Sequence, residues 1–221
     1  MTVRSSSFGQ CDPRDDPAYT VAEAARYLRI PGQTLRTWVV GRFPFRPLIE
    51  APADNPTRLS FNNVVEAYAL RALRTRHGVS IGNARQAIEF AGRKYRVERI
   101  LLSGELRTAA GDLFLSKYGE LINLNRSGQL AMARLLKDCL RRITYDELNL
   151  PIRLSVSKTD DDAIVMDPWI AFGRPVVLGR GVSTAAIVDR VDAGETIDEI
   201  AQDYKLTTEQ VEAAIVYDQA A

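Results

Sequence analysis

Apolar positions recur first at Val21, Ala24, Ala25 and Leu28, then at Leu35, Trp38 and Val39. Both runs keep the three-to-four spacing that gathers side chains on one helical face. Pro31-Gly32 interrupts the pattern between them. Thr20 stands three residues before Glu23, the Thr-x-x-Glu box that starts a helix by satisfying its free amides. The stretch "TVAEAARYLRIPGQTLRTW" therefore predicts a helix, a corner and a second helix. In "RFPFRPLIEAPADNPTRLSF", prolines fall at positions 44, 47, 52 and 56, and short extended pieces flank "APADNP". That arrangement predicts a two-stranded wing with a turn. A third helix is expected over "VVEAYALRALRTRHG", capped by Asn62 or Asn63, with His77 in its last turn. A fourth is expected over "SIGNARQAIEFAGRKYR", capped at Ser80.

Further along, the period changes. "GELRTAAGDLFLSKYGELINL" holds two short extended runs broken at Gly111 and Gly119, and "GQLAMARLLKDCLRRI" is an amphipathic helix. "PIRLSVS" reads as a strand, "KTDDD" as a polar break, and "AIVMDPWIAFGRPVVLGRGVS" as short strands with turns at Gly173 and at Gly179 to Gly181. Three helices are expected over 184–193, 196–204 and 207–218. Residues 1–17, rich in Ser, Asp and Pro, read as a disordered tail. The expected fold is mainly α with short β-strands (α+β). It comprises a winged helix-turn-helix over 18–96, a mixed α/β connecting segment over 97–160 and a helical bundle with its own helix-turn-helix over 161–221.

The two ends resemble each other. "TVAEAARYLRIPGQTLRTWVV" aligns with "TIDEIAQDYKLTTEQVEAAIV" at an offset of 176 residues without a gap. Thr20 meets Thr196, Glu23 meets Glu199, Ala25 meets Ala201, Leu35 meets Val211 and Val39 meets Ile215. The second helices differ in chemistry. In the first copy the outward positions are Gln33, Thr34, Arg36 and Thr37, with Arg42 and Arg46 just beyond; in the second they are Glu209, Gln210 and Glu212.

Charge sharpens that contrast. The net charge of +1 conceals 16 Lys+Arg against 9 Asp+Glu in residues 1–100, and 4 against 13 in residues 160–221. Cations on phosphates release counterions and supply most of the affinity for a duplex, whereas carboxylates are repelled. The first unit is therefore expected to read double-stranded DNA. Arg36, Arg42, Arg46 and, on the wing, Arg58 would meet phosphates, and Gln33, Thr34 and Thr37 would meet base edges. The second unit is expected to pack on protein. Its apolar stripe, Ile187, Val191, Ile200, Val211 and Ile215, exceeds what three short helices bury among themselves. The stripe is therefore the expected homodimer interface.

Cys11 and Cys139 lie far apart without a CxxC, as in a cytoplasmic protein with reduced thiols. No apolar run reaches the length of a membrane span or a secretory signal. The carboxylates of "KTDDD" point in different directions along a run and suit a solvated linker better than a cation site. There is no phosphate-binding Gly loop and no His beside a nucleophile. Neither an enzyme nor a cofactor is expected.

"YTVAEAARYLRIPGQTLRTWV", "TRLSFNNVVEAYALRALR" and "HGVSIGNARQAIEFA" together resemble the MerR-like winged helix-turn-helix, in the family's order and spacing over residues 19–92. The resemblance implies that Arg36 contacts DNA. The family's effector-binding cysteines and long dimerising helix have no counterpart here. "MDPWIAFGRPVVLGRGVSTAAIVDRVDAGETIDEIAQDYKLTTEQVEAAIVY" resembles the domain of unknown function numbered four hundred and thirty-three. Domains of that kind occur in prokaryotic antitoxins paired with PIN-domain ribonucleases. The combination looks like a VapB-type antitoxin, which implies operator binding, repression of its own operon and neutralisation of a PIN-domain ribonuclease toxin. Arg174 and Arg180, in the Gly-rich loops, would dock that toxin's acidic site; otherwise the same loops are tight structural turns, with Gly173, Gly179 and Gly181 at positive φ. A stand-alone regulator answering to an unknown ligand and a protein-only adaptor are the alternatives.

Overall fold

The computed structural model describes residues 12–74, 81–96, 99–102, 116, 126–157 and 162–220. Cys11, the helix end at His77, the cap at Ser80 and the extended runs around Gly111 and Gly119 lie outside the described residues. The chain runs β1 (Tyr19–Thr20), α1 (Val21–Tyr27), α2 (Gly32–Val40), β2 (Ala53–Asp54), β3 (Thr57–Leu59), α3 (Phe61–Arg74) and α4 (Ile81–Tyr95). It continues with α5 (Arg126–Arg141), β4 (Ile143–Tyr145), β5 (Pro151–Ser155), β6 (Ile164–Met166), β7 (Val176–Val177), α6 (Thr184–Asp192), α7 (Ile197–Tyr204) and α8 (Thr208–Gln219). The fold is α+β, with short antiparallel strands beneath and beside the helices.

Two small sheets organise it. β3 is flanked by β1 and β2, and the β2–β3 hairpin is the expected wing, turning at Asn55-Pro56. β4 to β7 form an antiparallel meander in chain order, with Leu154 opposite Met166 and Ile164 opposite Val177. α3 packs on α5, and α6 and α7 both pack on α8. Buried residues from Tyr19 to Tyr217 belong to one hydrophobic cluster, so both ends and the meander share a core.

The helix starts follow the sequence chemistry with one correction. Both expected capping boxes form, Thr20 with Glu23 and Thr196 with Glu199, and Thr207 with Gln210 makes a third. At α3 the cap is Ser60, not Asn62 or Asn63. The Ser60 carbonyl accepts the Val64 amide at 3.1 Å, and Asn63 is the reciprocal partner, its Oδ1 accepting the Ser60 amide at 3.1 Å. Asn63 also donates to the buried Glu66 carboxylate at 3.1 Å, which Arg99 closes with contacts of 2.9 and 2.6 Å. A buried carboxylate needs such a complete set of partners.

Residues 12–17, expected within a disordered tail, are instead pinned to the body. Arg14 binds Asp12, reaches Asp146 Oδ2 at 2.7 Å and lies 5.5 Å over the Trp169 ring. The Asn62 amide donates to the Arg14 carbonyl at 3.0 Å, and Asn62 Nδ2 to Asp15 Oδ1 at 2.7 Å.

Two tyrosines join the chain's ends. Tyr19 Oη donates to the Gly173 carbonyl at 2.9 Å. Gly173 is at φ 76°, and a Cβ there would stand 1.8 Å from Tyr19 Oη, so only glycine fits. Tyr217, on α8, donates to the Tyr27 carbonyl at the end of α1 at 2.9 Å. Arg29 lies 5.0 Å over the Tyr217 ring and donates to its carbonyl at 3.4 Å.

Tyr217→Phe is expected to lower unfolding stability by about 1–2 kcal/mol, because the Tyr27 carbonyl is left buried without its donor. Gly173→Ala is expected to cost more, about 3 kcal/mol, through the clash and the positive φ together. Urea denaturation of both variants checks the order and the sizes.

Candidate nucleic-acid interface

The second helix of the first unit, α2, has a buried and an outward side, with Val40 at its end 45% exposed. Leu35, Trp38 and Val39 are buried, Gln33 and Arg36 are exposed, and Thr34 and Thr37 lie half-buried between them. The outward strip is the set of side chains expected at base edges and phosphates. Thr37 Oγ1 donates to the Gln33 carbonyl at 2.8 Å, so its hydroxyl faces an incoming group as an acceptor. No carboxylate occurs between Gln33 and Arg46.

Past α2 the chain makes a tight excursion. Arg42 and Phe45 exchange backbone hydrogen bonds at 3.1 and 2.7 Å, and Arg42 and Arg46 are both exposed. Gly41 permits the turn: φ is 81°, and a Cβ would lie 2.7 Å from the Phe45 carbonyl oxygen. The returning strand is tied back where the Leu48 and Ile49 amides donate to the Trp38 carbonyl at 2.7 and 3.0 Å. Arg58 is exposed on the hairpin strand β3. Arg36, Arg42, Arg46 and Arg58 form no ion pair among the described residues. Glu23 lies within the fields of Arg58 and Arg174. Burial raises its pKa, but hydrogen bonds from Thr20 and the fields of Arg174 and Arg58 outweigh burial and hold the carboxyl below its usual value. It is engaged as a cap.

The second unit repeats the first down to its turn. Arg29 and Lys205, 176 positions apart, both take left-handed φ values, 51° and 53°. Ile30 N donates to the Ala25 carbonyl and Leu206 N to the Ala201 carbonyl, each at 2.9 Å, so both first helices end in the same Schellman closure. Decoration differs: Glu209 and Glu212 are exposed on α8 where α2 carries Gln33 and Arg36.

The apolar stripe expected at a dimer interface is corrected by its burial. Ile187, Ile200 and Val211 have 0% exposure within the chain, and Val191 and Ile215 pack half-buried against the core. α6 and α7 pack on α8, and α8 in turn lies against β6 and β7. Arg174 and Arg180 are exposed, and Arg180 Nε donates to the Lys205 carbonyl at 3.1 Å. Gly173, Gly179 and Gly181 have φ of 76°, 86° and 68°, so the loops carrying these arginines are also tight turns. Asp167 caps the Trp169 amide at 3.0 Å and pairs with Arg153 at 3.2 Å. Among the described residues no cluster of His, Cys, Asp and Glu could hold a metal ion, and no helix is long and apolar enough to cross a membrane. Cys139 is a free thiol whose burial pushes its pKa up to about 12, which suppresses thiolate chemistry.

Sequence reasoning passed over several exposed aromatic side chains. Phe43 and Phe45 are 97% and 62% exposed at the Arg42–Arg46 tip, and Trp169 and Phe172 are 54% and 85% exposed beside Arg174. Phe172 sits at φ 54°, ψ 34°, a strained conformation for an aromatic residue. A run of apolar letters inside a Pro- or Gly-rich loop signals a turn. It carries no period from which exposure could be read.

Residues 164–217 match a family described as a protein of unknown function, DUF433. The chain is 32% identical over 226 residues to a Mycobacterium tuberculosis protein named "Putative antitoxin VapB45", covering 91% of this chain and 93% of that one. It is 29% identical over 219 residues to the uncharacterized protein Rv2308 of the same organism, covering 92% and 90%. The crystal structure of Rv2018 from Mycobacterium tuberculosis superposes with a TM-score of 0.73 at 29% identity, over 91% of this chain and 98% of that one.

Proposed function

The chain belongs to the family of the Mycobacterium tuberculosis protein named putative antitoxin VapB45, and from that premise we propose that it is the antitoxin of a toxin–antitoxin pair. In this reading it binds the operator of its own operon through the first helix-turn-helix, represses transcription and neutralises a partner PIN-domain ribonuclease. The observation that carries it is the outward strip of α2. Gln33 and Arg36 are exposed opposite the buried Leu35, Trp38 and Val39, Arg42, Arg46 and Arg58 are exposed too, and no carboxylate lies between positions 33 and 46.

The mechanism follows from charge and shape. Arg36, Arg42, Arg46 and Arg58 each neutralise a phosphate and release counterions, which sets affinity and its salt dependence. Gln33, Thr34 and Thr37 meet base edges in the major groove, where a good bidentate pair contributes about 1–3 kcal/mol of discrimination. A palindromic operator takes two copies with half-sites one helical turn apart. The dimer contact lies elsewhere than Ile187, Ile200 and Val211. The acidic second unit stays off the duplex and leaves Arg174, in the loop that carries the exposed Trp169 and Phe172, and Arg180 to the toxin. Aromatic and arginine side chains are the usual anchors of protein interfaces. An arginine also suits the carboxylates with which a PIN nuclease holds its metal.

Arg36→Ala is expected to weaken binding to a duplex spanning the region upstream of the chain's own gene. It should also reduce the slope of log affinity against log salt by about one unit. Fluorescence anisotropy over a salt series measures both, and an unchanged slope removes Arg36 from the interface. For the toxin half, the product of an adjacent reading frame is expected to copurify with the chain and to lose its ribonuclease activity in the complex. An adjacent nuclease that stays fully active in the chain's presence would count against the antitoxin role.

A further inference from the structure

Phe43 is the most exposed large apolar side chain among the described residues, and it projects from a hairpin clamped at several points. On the outgoing side, the Gly41 amide donates to the Thr37 carbonyl at 3.1 Å, and Gly41 takes a φ that only glycine accepts readily. Across the tip, the Arg42–Phe45 backbone pair closes a loop of two residues, Phe43 and Pro44. On the returning side, Arg85 donates to the Pro47 carbonyl at 3.2 Å and to the Arg46 carbonyl, and Ile49 is buried as a plug beneath. The loop is thus braced against α2's last turn and against α4. Its two aromatic rings are exposed, and in sequence they stand between the exposed Arg42 and Arg46.

Bracing a loop so as to hold aromatic rings in water makes sense if something covers them. We infer that the Arg42–Arg46 tip is a second DNA contact, in which Phe43 wedges into the minor groove next to the major groove entered by α2 while Arg42 and Arg46 hold the phosphates on either side. The inference rests on the reading of α2 as a DNA-binding helix. Charge complementarity selects the occupant. The tip continues the cationic strip of Gln33 to Arg46, and the nearest carboxylate along the chain is Glu50. An apolar ring inserted between base steps unstacks them and kinks the duplex, and the flanking cations stabilise the bent backbone. Phe45, at 62% exposure, is the less exposed of the two rings.

The test uses the full chain and the duplex upstream of its gene, end-labelled so that energy transfer reports the bend and anisotropy reports affinity. Phe43→Ala is expected to weaken binding about tenfold, the scale of one aromatic–base contact, with the salt slope unchanged and the bend reduced. Phe43→Trp should keep both affinity and bend, and Arg42→Ala should lower the slope by about one unit. Because Phe43 touches nothing that holds the fold together, the urea midpoint of Phe43→Ala should match the wild type. Affinity and bend for Phe43→Ala indistinguishable from wild type would overturn the wedge. So would a loss of affinity that tracks a change in sedimentation from dimer to monomer, which would mark the tip as a contact between copies. An Arg36→Ala slope change with a silent Phe43→Ala leaves operator binding standing and removes only the wedge. A wild-type chain that fails to bind the duplex removes both.

Discussion

The structure depends most on the joint where Tyr217 of α8 meets the turn between α1 and α2. Tyr217 Oη caps the Tyr27 carbonyl, and Arg29 closes over the ring from the turn itself. Burial depresses the Arg29 pKa and raises that of Tyr217, so both groups have given up water for each other. Tyr217 Oη and Arg29 Nη2 each find a backbone carbonyl there, while Arg29 Nε is buried without a partner among the described residues, so the ring of Tyr217 is what faces the rest of the guanidinium. With the turn occupied by the chain's own C-terminal helix, the outward strip of α2 lies on another side, open to solvent.

That joint brings together two units of the same design. Their capping boxes, left-handed turn residues and Schellman closures correspond one for one across 176 positions. The second helices differ in length and cap, and their exposed side chains carry opposite charge. A helix presenting Arg36 concentrates near a polyanion; a helix presenting Glu209 and Glu212 is excluded from it. The basic unit leaves its cations in solvent, while the acidic unit completes the core and stands over the sheet.

Legibility in the sequence varied with the range of the interaction. Capping boxes and helical periods are local, and they located α1, α2, α6, α7 and α8 and the split of α2 into buried and exposed halves. The wing was readable because its turn chemistry is equally local. The cap of α3 was misplaced by two or three residues, since Ser60, Asn62 and Asn63 can each cap; Ser60 Oγ accepts the Asn63 amide, Asn63 Oδ1 accepts from Ser60 in return, and Asn62 is taken by Asp15. The ordering of residues 12–17 depends on Asp146 and Trp169, more than 130 positions away.

The same division explains the apolar stripe and the aromatic tip. Periodicity marked Ile187, Ile200 and Val211 as a face to be covered, and it is silent on what covers it; all three are buried within the chain, where α6 and α7 pack on α8 and α8 lies on β6 and β7. Phe43 read as part of a proline-broken connection, and its exposure follows from clamps by Trp38 and Arg85. By itself the sequence determined where helices begin, which of their faces are apolar and where each sign of charge resides, because those depend on neighbours a few residues apart. The tertiary structure alone decided which apolar faces are buried and which rings and guanidinium groups remain in water, because burial is set by segments that meet only once the chain has folded.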